Sequence, residues 1–194
     1  MRKSVSLVLA AVLALGLCAA ASAGQEGTTN ATIKFKEGEL RFSTNQDAMN
    51  IAFGTHEIPV GAVTYGSVTN NTLSIADPRH PAGGWEVTVK REGSFTEVGN
   101  SKFEGVLTLM SGTAGHSGGE GIDLSEVSVT SNVVVGDTAQ TVATAAADQT
   151  TGTFLIQWDA GNITLELTGA EAASLVLNSE YSETLTWTLE PIER

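Results

Sequence analysis

One run in this chain has the residue types and spacing of a catalytic nucleophile: Gly115-His116-Ser117-Gly118-Gly119, a G-x-S-x-G pattern. The chemistry would be acyl transfer, which needs the serine on a tight strand-to-helix turn beside an oxyanion hole of backbone N–H groups. Two requirements fail. Residues 122–130 alternate like a strand where the helix should begin, and the base would have to be His56, His80 or His116, none in a recognisable context. A glycine-rich loop carrying a chance serine is the simpler reading, so no catalytic residue is assigned and the chain is expected not to be an enzyme. The three His lack H-x-x-x-H spacing and no EF-hand pattern occurs, so neither a metal nor a cofactor is expected. Paired carboxylates for glycoside hydrolysis could be drawn from 22 acids in many ways, which makes any single choice uninformative.

More specific are two runs that read as the same strand written twice. One is Gly84-Trp85-Glu86-Val87-Thr88-Val89 and the other is Leu185-Thr186-Trp187-Thr188-Leu189. In each, a Trp and an aliphatic residue stand two apart and so share one face of a strand. An aromatic on such a stripe has two uses: burial in a core, worth on the order of 200 Å² of covered surface, or an exposed platform on which sugar rings stack. Spacing alone leaves both open. Asp77 and Arg79 likewise either pair with each other or contact a ligand.

The elements that must hold these residues are strands. Period-two alternation recurs at Ile33/Phe35, Leu40/Phe42, Val63/Tyr65, Leu73/Ile75, Leu107/Leu109, Val127/Val129, Val133/Val135, Phe154/Ile156/Trp158 and Ile163/Leu165/Leu167, broken by Gly, Asn, Asp and Ser. Many short strands without helices between them predict an all-β chain: a single antiparallel β-sandwich or barrel-like domain. Two stretches depart from the pattern. Residues 111–121 are glycine-rich and read as a loop, and residues 138–149 are rich in Ala and Thr and suit one or two helical turns.

The N-terminus carries an address. Arg2 and Lys3 precede an apolar run that closes on Ala21-Ser22-Ala23, the pattern of a cleaved secretory signal peptide over residues 1–23. Leu17 before Cys18 argues against a lipidated cysteine. Cys18 is the only cysteine, so the exported chain forms no disulfide and its stability must come from a packed core. Residues 24–30 read as a flexible N-terminus and 31–194 as the β domain. The net charge is −12, and loss of Arg2 and Lys3 takes it to −14. Such a surface repels nucleic acid and anionic lipid, and neither nucleic-acid binding nor membrane insertion is expected.

With these residues in hand, the chain resembles the WxL-domain proteins, cell-surface proteins of Gram-positive bacteria. Tyr181, Leu185, Thr186, Trp187 and Leu189 match the family's proximal motif, with Pro191 closer than usual. Asp77 and Arg79, followed by Trp85 and Val87, match its distal motif, although Val87 stands where Leu is typical. Ile51-Ala52-Phe53-Gly54 matches an early strand end of the family, and residues 101–110 a strand soon after the first Trp motif. The resemblance implies non-covalent binding to the cell wall with peptidoglycan as ligand, at an extracellular, cell-wall location. It implies Trp85, Val87, Trp187 and Leu189 as the binding motifs, supported by Asp77, Arg79, Tyr181 and Thr186. It also implies company: other WxL proteins and a membrane-anchored WxL-interacting protein. The alternative is a secreted subunit of a surface assembly that joins its partners through an exposed sheet edge.

Overall fold

The computed structural model describes residues 32–36, 38–43, 49–79, 83–99, 101–117, 123–146 and 151–192. The expected signal peptide, residues 24–30, His80 and residues 118–122 and 147–150 lie outside these. From Lys36 onward the chain forms one compact unit. It is almost wholly β, with strands β1 Arg41–Phe42, β2 Val63–Gly66, β3 Asn71–Asp77, β4 Gly84–Arg91, β5 Phe95–Thr96, β6 Lys102–Phe103 and β7 Val106–Leu109. There follow β8 Thr113–His116, β9 Val127–Val129, β10 Val133–Val135, β11 Gln140–Ala145, β12 Gly152–Trp158, β13 Ile163–Leu167 and β14 Leu185–Ile192. A four-residue helix, α1 Gly169–Ala172, precedes the last strand.

Three four-stranded sheets, in the orders β1-β3-β12-β8, β10-β7-β13-β2 and β14-β4-β11-β9, enclose the main core, and β5 and β6 form a separate pair. Every pairing is antiparallel. The alternation read from the sequence is realised directly in β3, β4 and β12. Leu73 and Ile75, Trp85, Val87 and Val89, and Phe154, Ile156 and Trp158 all point inward and are buried. Trp85 meets Phe154 with ring centroids 5.6 Å apart, and Trp158 meets Trp187 at 6.2 Å, so aromatic contacts join the first sheet to the third. The chain crosses from the first sheet to the second after Trp158 through a turn in which the Asn162 N–H donates to the Asp159 carbonyl at 2.9 Å. Gly161 holds φ +87° in that turn, a conformation that favours glycine. A smaller core of Phe95, Phe103, Leu165 and Leu167 lies with Tyr65, Leu175 and Tyr181 around it.

Four sequence expectations change. Of the residues 138–149 expected to suit helical turns, the described ones, 138–146, hold none: β11 runs through them as an inner strand between β4 and β9. Its β-branched Thr141, Val142 and Thr144 favour the strand, while buried Ala143 and Ala145 are small enough to lie beside Val87 and Trp85. A bulge at Val142 interrupts the alternation. The glycine-rich residues 111–121 contain β8, paired to β12, rather than a loop throughout. There a side chain at Gly112 would meet the Trp158 indole nitrogen at 2.8 Å, so its absence lets the chain pass over the ring. Residues 51–53 form no strand, although Ile51 and Phe53 pack on the main core and the Ala52 carbonyl accepts from Val68 N–H at 2.8 Å. Ile33 and Phe35 also lie outside any strand, exposed by 78% and 82%.

Candidate functional site

The two Trp runs are neighbouring strands. In the β4–β14 ladder Trp187 stands across from Val89, Leu189 from Val87 and Pro191 from Trp85. Residues directly opposite in an antiparallel pair share a face, so both motifs send their apolar residues inward. Trp85 and Val87 are 0% exposed because β4 is an inner strand. Trp187 and Leu189, on edge strand β14, are half-buried.

The intervening residues make the opposite face. Glu86, Thr88 and Lys90 of β4 lie across from Glu190, Thr188 and Thr186 of β14, and Thr141 and Thr144 of β11 continue the rows. Two of these hydroxyls are engaged: Thr141 donates to Glu86 at 2.6 Å, and Thr186 donates to Glu92 at 2.5 Å. Glu92 also pairs with Lys90 at 3.1 Å. The Thr186 hydroxyl, and then Lys90, hold the Glu92 carboxyl below its ordinary range. The central hydroxyls of Thr88 and Thr188 have no hydrogen-bond partner among the described residues. A sheet face with two unpaired threonine hydroxyls among the described residues, flanked by carboxylates and an ammonium, can hydrogen-bond a polar polymer.

Asp77 and Arg79 form a bidentate pair, with Nε and Nη2 each 2.7 Å from a carboxylate oxygen. Arg79 Nη2 also donates to the carbonyls of Gly83 at 2.8 Å and Gly84 at 3.2 Å. Asp77 is 1% exposed, so this fork ties the end of β3 to the start of β4 and fixes where Trp85 enters the core. Arg79 also helps line a shallow groove of about 460 Å³ with Gly38, Glu39, Leu40, Leu189 and Pro191. The groove runs between edge strand β14 and the residues leading into edge strand β1, where the first and third sheets do not close.

The remaining expected site residues separate. Thr186 is on the polar face, whereas Tyr181 belongs to the smaller core. Its ring packs on Phe103 at 5.1 Å and its hydroxyl accepts from Val176 N–H at 2.9 Å. Ser117 extends the β8–β12 ladder through its N–H, which donates to the Thr153 carbonyl at 3.0 Å. The His56 ring stacks on Tyr65 at 4.1 Å and hydrogen-bonds the Phe53 carbonyl. Among the described residues no group of three or more His, Cys, Asp or Glu is placed to hold a metal.

Sequence reasoning missed an ion pair that anchors β14. Arg91 donates to Glu183 at 2.7 and 2.9 Å and to the carbonyls of Gly105 at 3.2 Å and Glu104 at 2.6 Å. The bond to Glu183 raises the Arg91 pKa further, against the lowering effect of burial. Partners so far apart in sequence carry no local signal. Glu171 was missed too, although the capping-box pattern Thr168-x-x-Glu171 could have signalled it; the same carboxylate also accepts from Gly105 N–H at 2.8 Å.

The fold is an all-β domain whose motif tryptophans sit in or against its core. The chain matches the model of the WxL domain, described as surface cell wall-binding, over residues 29–192. It belongs to that family and is a cell-surface, cell wall-binding domain. No curated protein and no solved structure matches the chain. Among the described residues no helix is long and apolar enough to cross a membrane.

Proposed function

We propose that the chain is exported through its N-terminal leader and binds peptidoglycan non-covalently, without catalysis, through the polar face of β4 and β14. One observation supports this reading: the register sets Thr88 beside Thr188, and neither hydroxyl has a hydrogen-bond partner among the described residues. Peptidoglycan offers N-acetyl amides, hydroxyls and peptide groups that match such donors and acceptors. Trp85, Val87, Trp187 and Leu189 serve binding by backing the face, and Asp77 and Arg79 by fixing the start of β4. Other WxL proteins and a membrane-anchored partner would act alongside this domain at the wall.

The test is Thr88→Val/Thr188→Val, scored by retention on purified peptidoglycan. Val suits a strand, and neither hydroxyl holds the protein together, so the melting temperature should stay put. Two lost hydrogen bonds at about 1 kcal/mol each amount to ~2 kcal/mol, roughly a 30-fold rise in Kd. Retention within about twofold of the parent refutes the face as the binding site.

A further inference from the structure

Edge strand β14 has no outer partner among the described residues, and its geometry says which residues face away from β4. Glu92 N–H donates to Thr184 O at 3.0 Å, which sets the phase of the β4–β14 ladder. Hydrogen-bonded pairs therefore fall at Thr186, Thr188 and Glu190, and the N–H and C=O groups of Leu185, Trp187 and Leu189 point away from β4. None of those three residues has a further hydrogen bond among the described residues. Proteins usually blunt such edges by keeping them short. The other edge strands run from two to four residues, whereas β14 has eight. Pro191 blocks only its far end, at an outward position where no ladder bond is lost.

The same chain holds an unused strand. Residues 32–36, Thr-Ile-Lys-Phe-Lys, alternate apolar and basic, form no strand, and leave Ile33 and Phe35 almost bare. We propose that residues 32–36 of a second copy add to β14 as an antiparallel fifth strand, so that copies join head to tail. With Ile33 across from Leu189 and Phe35 across from Trp187, the donor's apolar side chains enter the groove beside Leu40, Leu189 and Pro191 and cover Trp187. Lys34 and Lys36 then fall on the polar face, where Glu190 and Glu92 supply opposite charge. In this register the donor's five residues lie along Thr186–Glu190 and stop short of Pro191. Because donor and acceptor surfaces differ, the contact is heterologous and grows into rings or filaments. The added strand lies in the plane of the sheet and extends the polar face at its edge rather than covering it, so the proposal stands apart from the wall-binding reading.

The test compares the purified chain with Ile33→Asp/Phe35→Asp by sedimentation over a range of concentrations. Both positions are exposed, so the fold is untouched. The parent should form dimers and longer species, and the variant should remain monomeric while keeping its melting temperature and its retention on walls. A parent that stays monomeric, or oligomers that survive the double substitution, overturns the proposal. Register is read by disulfide trapping in a Cys18→Ser background. Lys34 and Thr188 would face each other at a non-hydrogen-bonded pair, with Cα atoms about 4.5 Å apart and within disulfide reach. Separately made Lys34→Cys and Thr188→Cys copies should cross-link to each other in excess of either homodimer. A chain carrying both substitutions that closes only on itself overturns the second-copy occupant in favour of the chain's own segment. Loss of oligomers and of wall retention together would mean that avidity, rather than a single domain, holds the protein to the wall, and would overturn the independence claimed here.

Discussion

Glu183→Gln is expected to loosen the proximal motif strand without touching a motif residue. Glu183 is 2% exposed and Arg91 9% exposed at their side chains, and the pair lies at the point where β14 joins β4. Removing the carboxylate leaves a nearly buried guanidinium facing the two carbonyls of Glu104 and Gly105. Breaking one side of a buried pair costs roughly 3–5 kcal/mol, and the surviving carbonyl partners place this case near 3 kcal/mol. For a domain of this size that lowers the melting temperature by about 6–12 °C. Urea unfolding gives the free energy directly, and hydrogen exchange locates the damage. Amides of Thr186 and Thr188, bonded inward to β4, should exchange faster, while those of β12 change less. Replacing both partners, Arg91→Met/Glu183→Leu, should recover most of the loss, since no unpaired charge remains buried. A Glu183→Gln change within about 0.5 kcal/mol of the parent would show that the pair behaves as an ordinary surface contact and refute the reasoning.

Glu171→Gln should destabilise the domain by about 1 kcal/mol at neutral pH, through weaker bonds to Gly105 N–H and the cap of α1. The Gly105 N–H and then Thr168 hold the Glu171 carboxyl below its ordinary value of 4.5, so its contribution is present above that value and fades as pH falls through the depressed one. Parent and variant stability curves should therefore converge in acid; a constant gap down to pH 2 would contradict this. Wall retention should rise with added salt or calcium, because the polymer and a chain of net charge −12 are both anionic. A steep fall with salt in a pelleting assay would instead indicate binding through a basic patch.

How much was legible follows from which forces are local. The alternation of Phe154, Ile156 and Trp158 or of Leu73 and Ile75 directly records one face of a strand meeting the core, and those strands were readable. In β11 the same face is built from Ala143 and Ala145, whose small size is imposed by Trp85 on the next strand, so the signal resembled helix propensity. Ser117 carried a catalytic pattern, yet its backbone simply continues β8. The Asp77–Arg79 pair was visible because its members are neighbours in the chain, but its bond to Gly84 was not. The stripe of Trp85, Val87 and Val89 was read as one face, but not that the second motif lies against it. Only the ladder supplies that, and it moves attention from the tryptophans to the threonines between them.

The pairing of the two motifs also sets the timing of folding. Trp85 is flanked by Ala145 and Pro191, both of which follow it in the chain. The core around β4 therefore cannot close until the C-terminal part of the domain has been made. Until Leu185–Ile192 has arrived, the apolar side of β4 lacks its cover along one whole flank. Such long-range closure is intrinsically slow. A chain interrupted before Leu185 would therefore leave the apolar flank of β4 uncovered, and should be cut by a protease far sooner than one that carries β14.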